Sequence, residues 1–177
     1  EEIDGIFAGD LINQCTGSAF GIREFGIPYF GVYGACSTSV LAMINAAVYV
    51  DSGKMDTAIS STSSHFCSAE KQFRFPLEYG GQRPPTAQWT VTGAGAAMIS
   101  SKNEKNSPKI EKAILGKMVD KGVKDASNMG AAMAPAAADT IAAFLTETQT
   151  APEHYDLILT GDLGKVGSKL LYDLLEK

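Results

Sequence analysis

The stretch Tyr29-Phe-Gly-Val-Tyr-Gly-Ala-Cys-Ser-Thr-Ser-Val-Leu-Ala-Met-Ile-Asn-Ala-Ala-Val-Tyr-Val50 decides the fold. Its first half is a short apolar run of strand formers, and from Val40 the apolar spacing lengthens to a helical one with small residues between. A strand therefore turns directly into a helix. Gly34, Ala35 and Cys36 stand at the corner, with Ser37, Thr38 and Ser39 as N-cap candidates. A glycine followed by a small residue allows a sharp reversal, so Cys36 is presented at a strained corner above the sheet edge. A thiol there lies near unpaired amides and the positive end of a helix dipole, which favours thiolate, and the same amides suit an oxyanion or a carboxylate. Two readings stay open: a buried cysteine packing a helix start, or a cysteine lining a functional pocket.

Working outward, Ile3 to Ala8 reads as a strand and Leu11 to Phe25 as a helix stopped by Gly26. Tyr29 to Tyr33 is the next strand, Thr38 to Asp51 a helix closed by Ser52-Gly53-Lys54, and Thr57 to Ser64 a third strand. This βαβαβ order predicts a mostly parallel, helix-covered sheet. From His65 to Gln88 periodicity disappears, and a loop of that length with this many aromatics suggests either a lid over the cysteine corner or a packed excursion at an interface. Trp89 to Ser100 reads as a strand whose Gly-Ala-Gly-Ala-Ala centre admits a close neighbour. Ile110 to Val119 alternates like a strand, and Lys121 to Ser127 is a polar connection that places a boundary between halves 1–124 and 125–177. Asn128 to Thr148 is an alanine-rich helix containing Pro135, its small residues suggesting tight burial between layers. Tyr155 to Gly161 reads as a strand leading into a helix from Lys165 to Leu175.

Composition narrows the function classes. The chain has 177 residues, 45% hydrophobic and 20% charged, with a net charge of -5. Mild acidity without a basic stripe argues against nucleic acid. No apolar run is expected to reach the length of a membrane span. Cys15, Cys36 and Cys67 are an odd number without zinc spacing, so neither a metal nor a disulfide framework is expected. The abrupt Glu1-Glu2-Ile3 start suggests a piece of something longer.

The Gly-Ala-Cys-Ser-Thr elbow, the Gly-Ala-Gly-Ala-Ala strand and the second βα unit together resemble the thiolase and ketoacyl-synthase superfamily. Phe7-Ala-Gly-Asp-Leu, Tyr33-Gly-Ala-Cys-Ser-Thr, Ser63-Ser-His-Phe-Cys-Ser-Ala-Glu, the motif from Gln72 to Gly93 and Thr160-Gly-Asp-Leu-Gly resemble, more closely, the stage V sporulation protein AD family. The resemblance implies an α/β, thiolase-like layered αβαβα fold, its first half largely present and its second truncated. In the condensing enzymes of that superfamily the counterpart of Cys36 is acylated with help from a histidine of the second half. This chain has Thr160-Gly161-Asp162 where that histidine is expected. General acid–base assistance is worth about a hundredfold or more, so its loss favours a non-catalytic pocket.

The sporulation family is expected to bind dipicolinic acid, pyridine-2,6-dicarboxylate, and to take part in its uptake into the developing spore. Membrane proteins of the same operon are the implied partners, at the spore inner membrane. A flat aromatic dianion suits helix-start amides, arginines and an aromatic wall. The candidates are Cys36, Ser37, His65, Cys67, Arg74, Arg83 and Trp89, with Glu70 and Glu78 orienting the arginines. No cofactor is expected, and a homodimer is implied by the resemblance. Two competing readings are an acyltransferase using Cys36 with His65 as an unusual base, and a structural subunit whose central loop docks partners.

Overall fold

The computed structural model describes residues 2–11, 14–66, 86, 88, 91–102 and 105–176. The chain divides into two units, Glu1–Phe73 with Thr90–Glu111, and Arg74–Trp89 with Lys112–Lys177.

The first unit is built on a four-stranded sheet of order β2-β1-β3-β4, with β1 at Gly5–Asp10, β2 at Tyr29–Gly31, β3 at Thr57–Ser63 and β4 at Ala94–Ser100. β1 runs parallel to β2 and β3, while β4 pairs antiparallel with β3. Every residue of β1 is buried, as expected for a central parallel strand covered on both faces. The pleat sends alternate residues to opposite sides. Phe7 meets Ala42, Ala46 and Val50 of the helix α2, Thr38–Asp51, and stacks on Phe30 at 4.6 Å, with Tyr49 tilted against both rings. Asp10 turns to the other side, toward the short helix α1, Thr16–Ile22.

The buried stripe of α2 is Thr38, Ala42, Ala46 and Val50, spaced by four, so a smooth small-residue face lies on the sheet. Gly9 is required there: a Cβ would collide with the Val32 carbonyl and stand 2.7 Å from the Thr38 methyl. Asp4 fastens the start of β1 to β3, its carboxylate accepting the amides of Asp56 at 2.8 Å and Thr57 at 3.0 Å.

The second unit pairs α3, Met129–Thr148, with α4, Gly164–Leu175, around Ala134, Ala138, Leu163 and Leu171. The helices meet at glycines, and a Cβ on Gly167 would come within 2.8 Å of the Gly130 Cα. Asn128 caps α3 by accepting the Ala131 amide at 3.2 Å, and Gln149 ends it in the left-handed region at φ 55°. Lys117 reaches Asp139 on α3 at 3.0 Å.

Several expectations are corrected. Residues 110–119 and 155–161 alternate in sequence but form no strand, because neither has a ladder partner among the described residues and alternation alone supplies no hydrogen bonds. Leu115, Leu157 and Leu159 are accordingly exposed. The close neighbour expected at the Gly-Ala stretch entering β4 is not found among the described residues: an added Cβ at Gly93 or Gly95 meets nothing within 4 Å there. The first helix begins at Thr16 rather than Leu11, and its last turn is a 3-10 turn at Arg23–Phe25. α3 buries only Gly130, Ala134 and Ala138 rather than lying tightly enclosed. Its 20 residues are, by length and composition, apolar enough to cross a membrane. α2, by contrast, has the bounds that the sequence predicts.

Candidate functional site

In an α/β sheet, ligands gather beyond the carboxyl ends of the strands, where neighbouring connections diverge. With order β2-β1-β3, that position lies at the ends of β1 and β3. Three chemistry-bearing residues sit along this edge: Cys36 after β2, Asp10 ending β1, and His65 just after β3.

The Cys36 corner is strained as expected, but at a different residue. Gly34 has φ -142°, and Ala35 adopts the left-handed region at φ 48°. A non-glycine residue there costs roughly 1 kcal/mol or more and persists only when its surroundings hold it. The holding bonds come from the next turn. The Thr38 hydroxyl donates to the Ala35 carbonyl at 2.7 Å and accepts the Gly34 amide at 3.1 Å, while Ser37 Oγ donates to the Gly34 carbonyl at 2.7 Å. Ala35–Ser37 therefore forms a 3-10 turn ahead of α2, and Ser37 binds the turn instead of capping the helix through its side chain. Gly34 is needed because a Cβ would lie 2.7 Å from Ser37 Oγ.

Cys36 is a free, exposed thiol. In this structure it does not pack under the helix start.

Asp10 is a residue that the sequence analysis did not single out. It is wholly buried, and its Oδ2 accepts the amides of Gly17 at 2.7 Å and Ser18 at 3.3 Å, closing the start of α1 from outside the helix. The signal was present: an acidic residue ends a six-residue strand that is otherwise glycine, alanine, isoleucine and phenylalanine. A buried carboxylate in that setting requires donors. The His65 ring, exposed to solvent, lies over the same Gly17.

Around this edge stands a second polar group. The Cys15 thiol donates to the Val32 carbonyl at 3.3 Å, and Ser18 Oγ lies 3.2 Å from the Tyr29 hydroxyl, which also reaches the Ala8 carbonyl at 3.4 Å. Burial pushes the Tyr29 phenol above its ordinary value, and the Ser18 hydrogen bond partly offsets this.

In the second unit Asp162 Oδ1 accepts the Gly164 amide at 2.9 Å, so the aspartate standing where the resemblance expects histidine closes the turn into α4. Cys67, Arg74, Arg83 and Trp89, with Glu70 and Glu78, lie outside the described residues. Among the described residues no cluster of three His, Cys, Asp or Glu side chains could hold a metal.

Comparison with known proteins agrees with this architecture. The structure of the tetronic acid condensing enzyme AbyA1 is similar at a TM-score of 0.67 and 17% identity, covering 99% of this chain and 61% of that one. A 3-oxoacyl-[acyl-carrier-protein] synthase III from Aquifex aeolicus VF5 is similar at a TM-score of 0.61 and 15% identity, covering 98% and 58%. These likenesses show a thiolase-like α/β fold. The stage V sporulation protein AD of Bacillus subtilis (strain 168) is 46% identical over all 177 residues, which span 52% of that protein. The chain thus spans about half the length of its curated relative, and the family model for Stage V sporulation protein AD (SpoVAD) matches residues 1–177. The chain belongs to the stage V sporulation protein AD family.

Proposed function

We propose that this chain is part of a non-catalytic thiolase-fold protein that binds pyridine-2,6-dicarboxylate and takes part in its uptake into the developing spore. The observation that carries the reading is the exposed Cys36 elbow at the start of α2, supported by Thr160-Gly161-Asp162 where the resemblance expects a histidine. An open helix start attracts carboxylates through its amides and dipole. Acyl transfer would need a base to take the thiol proton and return it to the leaving group, and Asp162 instead bonds the turn into α4. Arg74 and Arg83 offer planar forks matched to the ligand's two carboxylates, and Trp89 offers a face for its ring. Membrane proteins of the same operon are the proposed partners, at the spore inner membrane. β4 forms an edge of the described sheet, which suits pairing with a second copy.

Calorimetric titration of pyridine-2,6-dicarboxylate into the full-length protein tests the reading. Saturable binding that survives Cys36→Ala and collapses in Arg83→Ala is expected. No binding to the unmodified protein would sink it.

A second reading, acyl transfer through Cys36 with His65 as base, is favoured by the accessibility of the thiol and by the Asp10 carboxylate, which borders the same space over Gly17 as the His65 ring. Incubation with an acyl-CoA and intact-mass analysis decides it. A stable acyl adduct that disappears in Cys36→Ala would establish it over the binding role.

A further inference from the structure

We propose that Asp10 is a positioning residue for His65, and that Gly17 supplies the hollow in which the two side chains meet. The parallel register of β1 on β3 pairs Asp10 with Ser63, which brings His65, two residues further on, to the end of β1. A Cβ on Gly17 would lie 2.7 Å from His65 Cε1, 3.0 Å from Asp10 Oδ2 and 3.4 Å from His65 Nδ1. Ring and carboxylate therefore converge on the space that this glycine leaves empty. Asp10 also binds the Gly17 and Ser18 amides, so one buried carboxylate both fixes the floor of the hollow and lines the space that the ring borders. A histidine exposed at a sheet edge would otherwise sample several rotamers. Held in this hollow, it presents one ring edge outward to an anionic group, as a donor that needs no reordering when ligand arrives.

The consequence for affinity rests on the dicarboxylate reading above, while the seating of the ring does not. Both are tested in the full-length protein by proton–carbon correlation spectra of the histidine rings, with His65 assigned from a His65→Asn sample, followed by titration with pyridine-2,6-dicarboxylate. Gly17→Ala leaves the backbone unstrained and crowds the ring, whose far end can move. Asp10→Asn keeps an acceptor for the Gly17 amide and removes the charge. Both variants are expected to shift the His65 Cε1 signal, to leave His154 unmoved, and to weaken binding about tenfold, the worth of one hydrogen bond to a charged group. A His65 signal unmoved in both variants overturns the proposal, and so does a shifted signal with unchanged affinity in a protein that binds. If the unmodified protein does not bind the dicarboxylate, the functional reading falls, and the His65 signal in the variants alone decides the positioning.

Discussion

The Thr38 hydroxyl donates to the carbonyl of Ala35 at 2.7 Å and so holds a non-glycine residue at φ 48° directly before the exposed Cys36. Thr38 is buried, so nothing from solvent replaces that bond when it is removed.

Thr38→Val keeps the shape and deletes the hydroxyl. It is expected to cost about 1–3 kcal/mol, because the buried hydroxyl that accepts the Gly34 amide is removed and the Ala35 carbonyl keeps only the Thr38 amide as donor. Urea unfolding measures the loss. Thiol labelling gives a second readout: in the parent Cys36 reacts before Cys15, which is half-buried and bonded to Val32, and in the variant the Cys36 rate changes while the Cys15 rate does not.

Two glycines of the same sheet should respond oppositely to alanine. Gly9→Ala drives a methyl into the Val32 carbonyl and loosens the bond from the Val32 amide to the Ala8 carbonyl, which is 3.0 Å long, at a cost of roughly 1–3 kcal/mol or more. Gly95→Ala meets open space and removes backbone freedom from the unfolded chain, so it is expected to stabilise by about 0.5–1 kcal/mol. Equal effects in parallel thermal melts would contradict the packing described for β1 and β4.

Helix α4 approaches α3 through Gly130 and Gly167 with backbone against backbone. Gly167→Ala places a methyl 2.8 Å from the Gly130 Cα, which no rotamer change relieves, so the second unit should lose several degrees of melting temperature. Gly21→Ala in α1, where nothing lies within 4 Å, serves as the control and should stabilise slightly.

Two titrations have opposite signs. The amides of Thr57 and then Asp56 hold the Asp4 carboxyl below its ordinary value of 3.8. Its contribution is therefore present above that value and is lost as pH falls through the depressed one. Asp4→Asn should flatten the acid limb of the stability curve. Burial raises Tyr29 above its ordinary value of 10.0, so its contribution is complete below pH 10.0 and is lost as pH rises through the elevated value. Tyr29→Phe should remove that alkaline loss, as read by unfolding at a series of pH values. An unchanged alkaline limb would show that the phenol is not buried as described.

The elements legible in the sequence are those made by local forces. α2 has the bounds read from its spacing because helical hydrogen bonds, small-residue periodicity and the Ser52-Gly53 stop all lie within one stretch. The elbow was legible for the same reason, although its strain falls on Ala35, since the bonds that select the φ-positive residue come from Thr38 and Ser37. Residues 110–119 and 155–161 alternate like strands, yet a strand is a relation between two segments, and no alternation supplies the partner.

The sequence by itself determined the βαβαβ order, the Cys36 corner and, through its motifs, the family. Only the tertiary structure decided that Asp10 and His65 share one hollow over Gly17. Nothing in their spacing announces it, because the parallel register of β1 and β3 brings together residues that the chain itself holds far apart.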